Sequence, residues 1–89
     1  MQRITELNLK HAVKFLNKLT GNSVDPYKDG KAVIGNYHIS HCYGGVSLHH
    51  TMNEDGGIRD VFSCGHVTKK DLYNRIHAMM DGIKIQKGE

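Results

Sequence analysis

Tryptophan is absent, proline occurs once, at Pro26, and cysteine only twice, at Cys42 and Cys64, in a chain of 89 residues. Each scarcity removes a class of protein. Two cysteines do not make the disulfide framework of a small secreted domain, and in a reducing compartment both are expected as free thiols. With one proline and no low-complexity tract there is no linker, so residues 1–89 are expected to form a single domain. No stretch approaches the roughly 18 apolar residues needed to cross a bilayer. The start, Met1-Gln2-Arg3-Ile4-Thr5-Glu6, also lacks the apolar centre of a signal peptide. These absences predict a cytoplasmic protein with no membrane partner. Four Tyr and two Phe are the only aromatics, which predicts a thin core.

What is present is ordinary in amount and uneven in kind. Hydrophobic residues make up 38%, charged residues 24%, and the mean hydropathy is -0.50, the balance of a chain that folds. Twelve Lys and Arg against nine Asp and Glu give a formal charge of +3 and a pI near 9.0. That excess permits attraction to polyanions without demanding it. Seven histidines are the larger oddity, because full protonation near their ordinary pKa of about 6.5 would add seven positive charges.

Leu9, Ala12, Val13, Leu16 and Leu19 recur at three- and four-residue spacing, which predicts a helix over Asn8 to Thr20. Thr5 or Asn8 can cap its start, and Gly21 stops it. Asn22 to Lys31, with Pro26 and Asp29-Gly30, reads as a polar connection. Ala32 to Ser40, Val46 to Asn53 and Ile58 to Ser63 then carry alternating β-branched and aromatic residues, which predicts three strands. Glycine pairs at 44–45 and 56–57 supply the hairpin turns. A second helix is predicted from Thr68, three residues before Asp71, through Leu72, Ile76, Met79, Met80 and Ile83, closing at Gly82 or Gly88. The order α-β-β-β-α describes an α+β fold, a three-stranded antiparallel sheet with both helices on one face.

Alternation assigns the faces. Val46, Leu48, His50 and Met52 are expected towards the helices with Val33, Tyr37, Ile39, Ile58 and Phe62. His38, His49, Thr51 and Arg59 then fall on the opposite, wetter face, which reads either as a solvated sheet surface or as a binding surface. His38, His41, Cys42, His49, His50, Cys64 and His66 resemble a ligand inventory, but the paired spacing of a structural zinc site is missing, so no metal or other cofactor is expected. Cys64 with His66, or Cys42 with His41, would be the nucleophile–base pairs of a small metal- or thiol-dependent enzyme, the third-ranked reading. Lys69 and Lys70 open the second helix, where free backbone N–H groups and the helix dipole favour phosphate. The α-β-β-β-α order is that of double-stranded-RNA-binding domains too, without their alanine-rich second-helix motif. A nucleic-acid-binding accessory protein is therefore the alternative function.

Four runs carry a family resemblance: Gly35 to Ser40 (GNYHIS), Tyr43 to His49 (YGGVSLH), Met52 to Val61 (MNEDGGIRDV) and Gly65 to Tyr73 (GHVTKKDLY), preceded by Leu16 to Gly21 (LNKLTG). Together they cover most of the chain, and they resemble a family of small bacteriophage accessory proteins of uncharacterised activity. What the resemblance implies is a non-catalytic protein in the cytoplasm of an infected bacterial host. It would block or redirect a host protein in takeover or counter-defence, including inhibition of a defence nuclease complex. A sheet backed by two helices can present a patch of about 800 Å² to such a partner. The expected contact residues are His38, Tyr43, His49, Thr51 and Arg59. An unpaired edge strand would also allow a homodimer.

Overall fold

The computed structural model describes residues 3–63 and 65–88. Cys64, and with it every reading that used its thiol, lies outside them, as do Met1 and Gln2. Helix α1, Glu6–Leu19, begins two residues before the predicted start at Asn8 because Thr5, not Asn8, is its cap. Thr5 Oγ1 accepts from the Asn8 N–H at 3.2 Å and Asn8 Oδ1 accepts from the Thr5 N–H at 2.9 Å, so the two candidates act as one reciprocal box. Gly21, at φ 76°, follows its last turn as expected.

The polar connection holds a hairpin that composition does not announce: β1 (Tyr27–Lys28) pairs with β2 (Lys31–Ala32) across Asp29 and Gly30, both at positive φ. The main sheet is β3 (Tyr37–Cys42), β4 (Gly45–Thr51) and β5 (Ile58–Asp60), antiparallel in that order. The first strand thus starts five residues later than predicted. Asn36 ends the approach, its buried amide donating to the Ser23 carbonyl at 2.7 Å. The third strand stops early because Asp60 takes the N–H groups of Phe62 and Gly65 at 3.3 and 3.1 Å and turns the chain outward. Pairing with β4 resumes once, at a Val46–Val67 bridge.

Helix α2, Lys69–Gln86, is capped by Thr68, whose hydroxyl accepts from the Asp71 N–H at 3.1 Å. The Asp71 carboxylate completes no box; it accepts from Arg75 Nε at 2.8 Å. Gly82 lies inside the helix and Gly88, at φ 78°, ends it. α1 packs on β3, α2 on β4, and the helices on each other, so both lie on one face of the sheet, the predicted α+β arrangement. Leu9, Ala12, Val13 and Leu16, Val46 and Leu48, and Leu72, Ile76 and Met80 form the buried core, each helix contributing its apolar stripe. No helix among the described residues is long and apolar enough to cross a membrane.

Candidate functional site on the far face of the sheet

Register decides which side chains share the face away from the helices. His38 pairs with His49 and Ser40 with Ser47, while Asp60 pairs with His49 and Ile58 with Thr51. Directly paired residues point to the same side, so this face carries His38, Ser40, Ser47, His49, Thr51, Ile58 and Asp60. Arg59 pairs with His50, which stacks on Tyr37 at 4.3 Å on the helix-bearing side. The expected placement of Arg59 and Ile58 is therefore reversed. The cause is the 52–57 loop: Asn53 Oδ1 accepts from the N–H groups of Asp55 and Gly57, and Met52 bonds back to Gly57, which sets Thr51 opposite Ile58. A slip of one residue exchanges every side chain between faces.

The face is also less open than expected, because two chain segments roof its ends. At one end Thr51 is 3% exposed, its backbone bonded to Gly35 and Asn36 and its side set against Tyr27 and Ala32 of the β1–β2 hairpin, so it is a buried wall of the face and not the open residue expected from sequence. A shallow cleft of about 250 Å³ remains there between Pro26, Tyr27, Ala32, His38, Thr51 and Ile58. At the other end the segment leading to the Val46–Val67 bridge lays His66 across the strand. A Cβ on Gly45 would stand 2.9 Å from that of His66, so only glycine lets the two pass. Beneath this roof Ser47 is 1% exposed, and its hydroxyl has no hydrogen-bond partner among the described residues.

Between the roofs runs a row of imidazoles. The ring of His49 stands edge-on to those of His38 and His66, with centroids 5.9 and 6.3 Å apart. Asn36 donates its amide to Ser23, so its Oδ1 faces His38 Nδ1 at 3.2 Å as an acceptor and holds the proton on Nδ1, leaving Nε2 as the free acceptor. Burial, then the neighbouring His49 and His50, holds His38 below the ordinary histidine pKa. Burial likewise lowers His49, with His66 adding to the shift and the Asp60 carboxylate opposing it. His66 Nε2 lies 3.4 Å from Ser40 Oγ. Among the described residues no group of three His, Cys, Asp or Glu is arranged to hold a metal ion. Imidazoles in a row can exchange hydrogen bonds with, and stack against, the polar and aromatic groups of a partner.

Tyr43 and Gly44 form the β3–β4 turn, both at positive φ (48° and 78°), the type I′ form of a two-residue hairpin. Tyr43 is fully exposed and covers no part of the core. Cys42, at the end of β3, is exposed and its thiol free. Lys69 is half-buried and Lys70 exposed in the first turn of α2. The Val46–Val67 bridge brings that turn to the same end of the sheet as Tyr43. The structure thus brings His38 and His49 together, places Tyr43 at the tip beyond them, buries Thr51 within the same face and turns Arg59 to the other. Tyr27, Ile58 and His66 join the surface instead; the Asn53-Glu54-Asp55-Gly56-Gly57 loop held the signal for Ile58, while nothing local places Tyr27. Compared with protein-family models, curated proteins and solved structures, the chain matches none.

Proposed function

We propose that the chain is a non-catalytic binding protein that occupies a partner protein's surface with the imidazole row, the Tyr27–Ile58 cleft and the Tyr43 tip. The observation that carries this is Tyr43. A type I′ turn favours Asn or Gly at that position, and left-handed φ costs an ordinary L-residue about 1–2 kcal/mol. An exposed aromatic at such a backbone position, with no core to cover, suits a contact outside the monomer, and Tyr is a residue type that anchors interfaces. The resemblance to bacteriophage accessory proteins directs the choice of partner to a host protein in the cytoplasm of an infected bacterium, a defence nuclease complex among them.

The test is affinity capture from infected-host lysate, with and without nuclease, followed by binding of the purified partner. A nuclease-resistant protein that is retained at raised salt and lost with Tyr43→Ala and His49→Ala is the expected result. Capture that vanishes with nuclease, falls log-linearly with salt and disappears in Lys69→Ala with Lys70→Ala overturns it in favour of nucleic-acid binding.

A further inference from the structure

We propose that the trough between α1 and the outer edge of β3 takes an extended acidic segment of a partner protein as an added strand. This site lies along the helix side and outer edge of β3, whereas the imidazole row lies on the far face; the two share β3, and His38 borders both. α1 lies alongside β3, tied to it at both ends. At one end the Asn17 side chain donates to the Tyr37 carbonyl at 2.9 Å and accepts from the Tyr37 N–H at 2.8 Å. At the other end His41 Nε2 donates to Glu6 Oε1 at 2.7 Å. Between the ties lies an open trough of about 490 Å³, bordered by Lys10, Val13 and Lys14 on the helix, Ile39 on the strand, and Val24 and Pro26 at the end.

The bond pattern at Tyr37 shows what the trough can accept. One primary amide satisfying both backbone groups of one residue is what an adjacent strand would do there, so the outer edge of β3 is already in ladder geometry. All six residues of β3 stand opposite β4, but backbone groups alternate in direction along a strand, so with those of Tyr37 turned to Asn17 the N–H and C=O of Ile39 and His41 face the same outer edge and those of His38, Ser40 and Cys42 face β4. Asn17 ends the ladder at Tyr37, and Ile39 and His41 are where a guest strand would continue it. The stretch from Tyr37 to His41 spans about 13 Å, room for roughly four extended residues.

Charge selects the occupant. Lys10 and Lys14 rim the trough as exposed cations, and its one carboxylate, Glu6, is engaged by His41. A guest with carboxylates alternating with small apolar side chains would meet lysines on the rim and Val13, Val24 and Ile39 below. A second copy pairing β3 to β3 would set the Lys10 and Lys14 rows of the two molecules towards each other, an arrangement that like charge opposes.

The probes are a blocked hexapeptide of alternating Asp and Val, its Lys–Val counterpart, and the Asp–Val peptide with its backbone nitrogens methylated. Each is titrated into the labelled full chain to millimolar concentration and followed by amide NMR and hydrogen exchange. The Asp–Val peptide should shift the Ile39 and His41 amides and slow their exchange. The methylated and Lys–Val peptides should not, and Lys10→Glu with Lys14→Glu should weaken binding at least tenfold without changing the circular dichroism. Absence of binding, shifts centred elsewhere, or equal binding of the methylated peptide overturns the proposal. So does a peptide-free dimer that protects Ile39 and His41.

Discussion

Ser47 and Tyr43 are residues whose side chains serve the fold poorly. The Ser47 hydroxyl is buried without a partner among the described residues, and such a group costs about 1–3 kcal/mol in lost hydration. Ser47→Ala is therefore expected to leave the urea midpoint unchanged or to raise it. A clear loss of stability would show that the hydroxyl is bonded in solution. Tyr43→Asn should stabilise the monomer by about 1 kcal/mol, because Asn tolerates the left-handed backbone of the turn, and should weaken partner binding in the same preparation. Opposite movement of the two readouts separates a recognition residue from a folding residue. Asn17 is the reverse case: Asn17→Ala strips both Tyr37 backbone groups of their partner and should cost about 2–4 kcal/mol in chemical denaturation.

At the level of elements, the strip 65–67 packs closely against the sheet. Val67 bridges to Val46 of β4, and His66 lies over Gly45. Gly45→Ala would place a methyl group 2.9 Å from the His66 Cβ and 3.3 Å from its backbone, so the strip must move. A loss of about 1–3 kcal/mol is expected, with altered His49 and His66 signals by NMR. The helix starts are legible from sequence to within two residues because the stripes are consecutive in the chain and each cap lies three residues from its partner, whereas of the two glycines offered as the end of the second helix Gly82 lies inside it. The third strand is not legible in this way. Its face depends on how many residues the 52–57 loop spends before pairing resumes, and the bonds to Asn53 Oδ1 decide that number. Arg59 and Ile58 exchanged faces for that reason alone.

For the molecule as a whole, the histidines link stability to pH. His38 and His49 have folded-state pKa values lowered from 6.5, so the fold favours their neutral forms. Above about pH 6.5 neither state binds the protons and the shifts contribute nothing; as pH falls further the unfolded chain takes them up first, and stability declines. The urea midpoint should therefore fall between about pH 7 and about pH 5. His38→Gln with His49→Gln should lessen the drop. A midpoint that rises on acidification, with wild type and double variant alike, would contradict the burial of these rings.

The order of the two helices and the three main strands, the two core stripes, the helix caps and the inward set Tyr37, Ile39, Val46 and Leu48 were determined by the chain itself, because period and capping are properties of neighbours in sequence. The candidate surfaces were not. Thr51 was buried against a hairpin 20 residues upstream, His66 joined His49 through a bridge at Val67, and Asn17 met Tyr37 across the gap between helix and strand. Such meetings depend on where the chain returns in space, and only tertiary packing sets that.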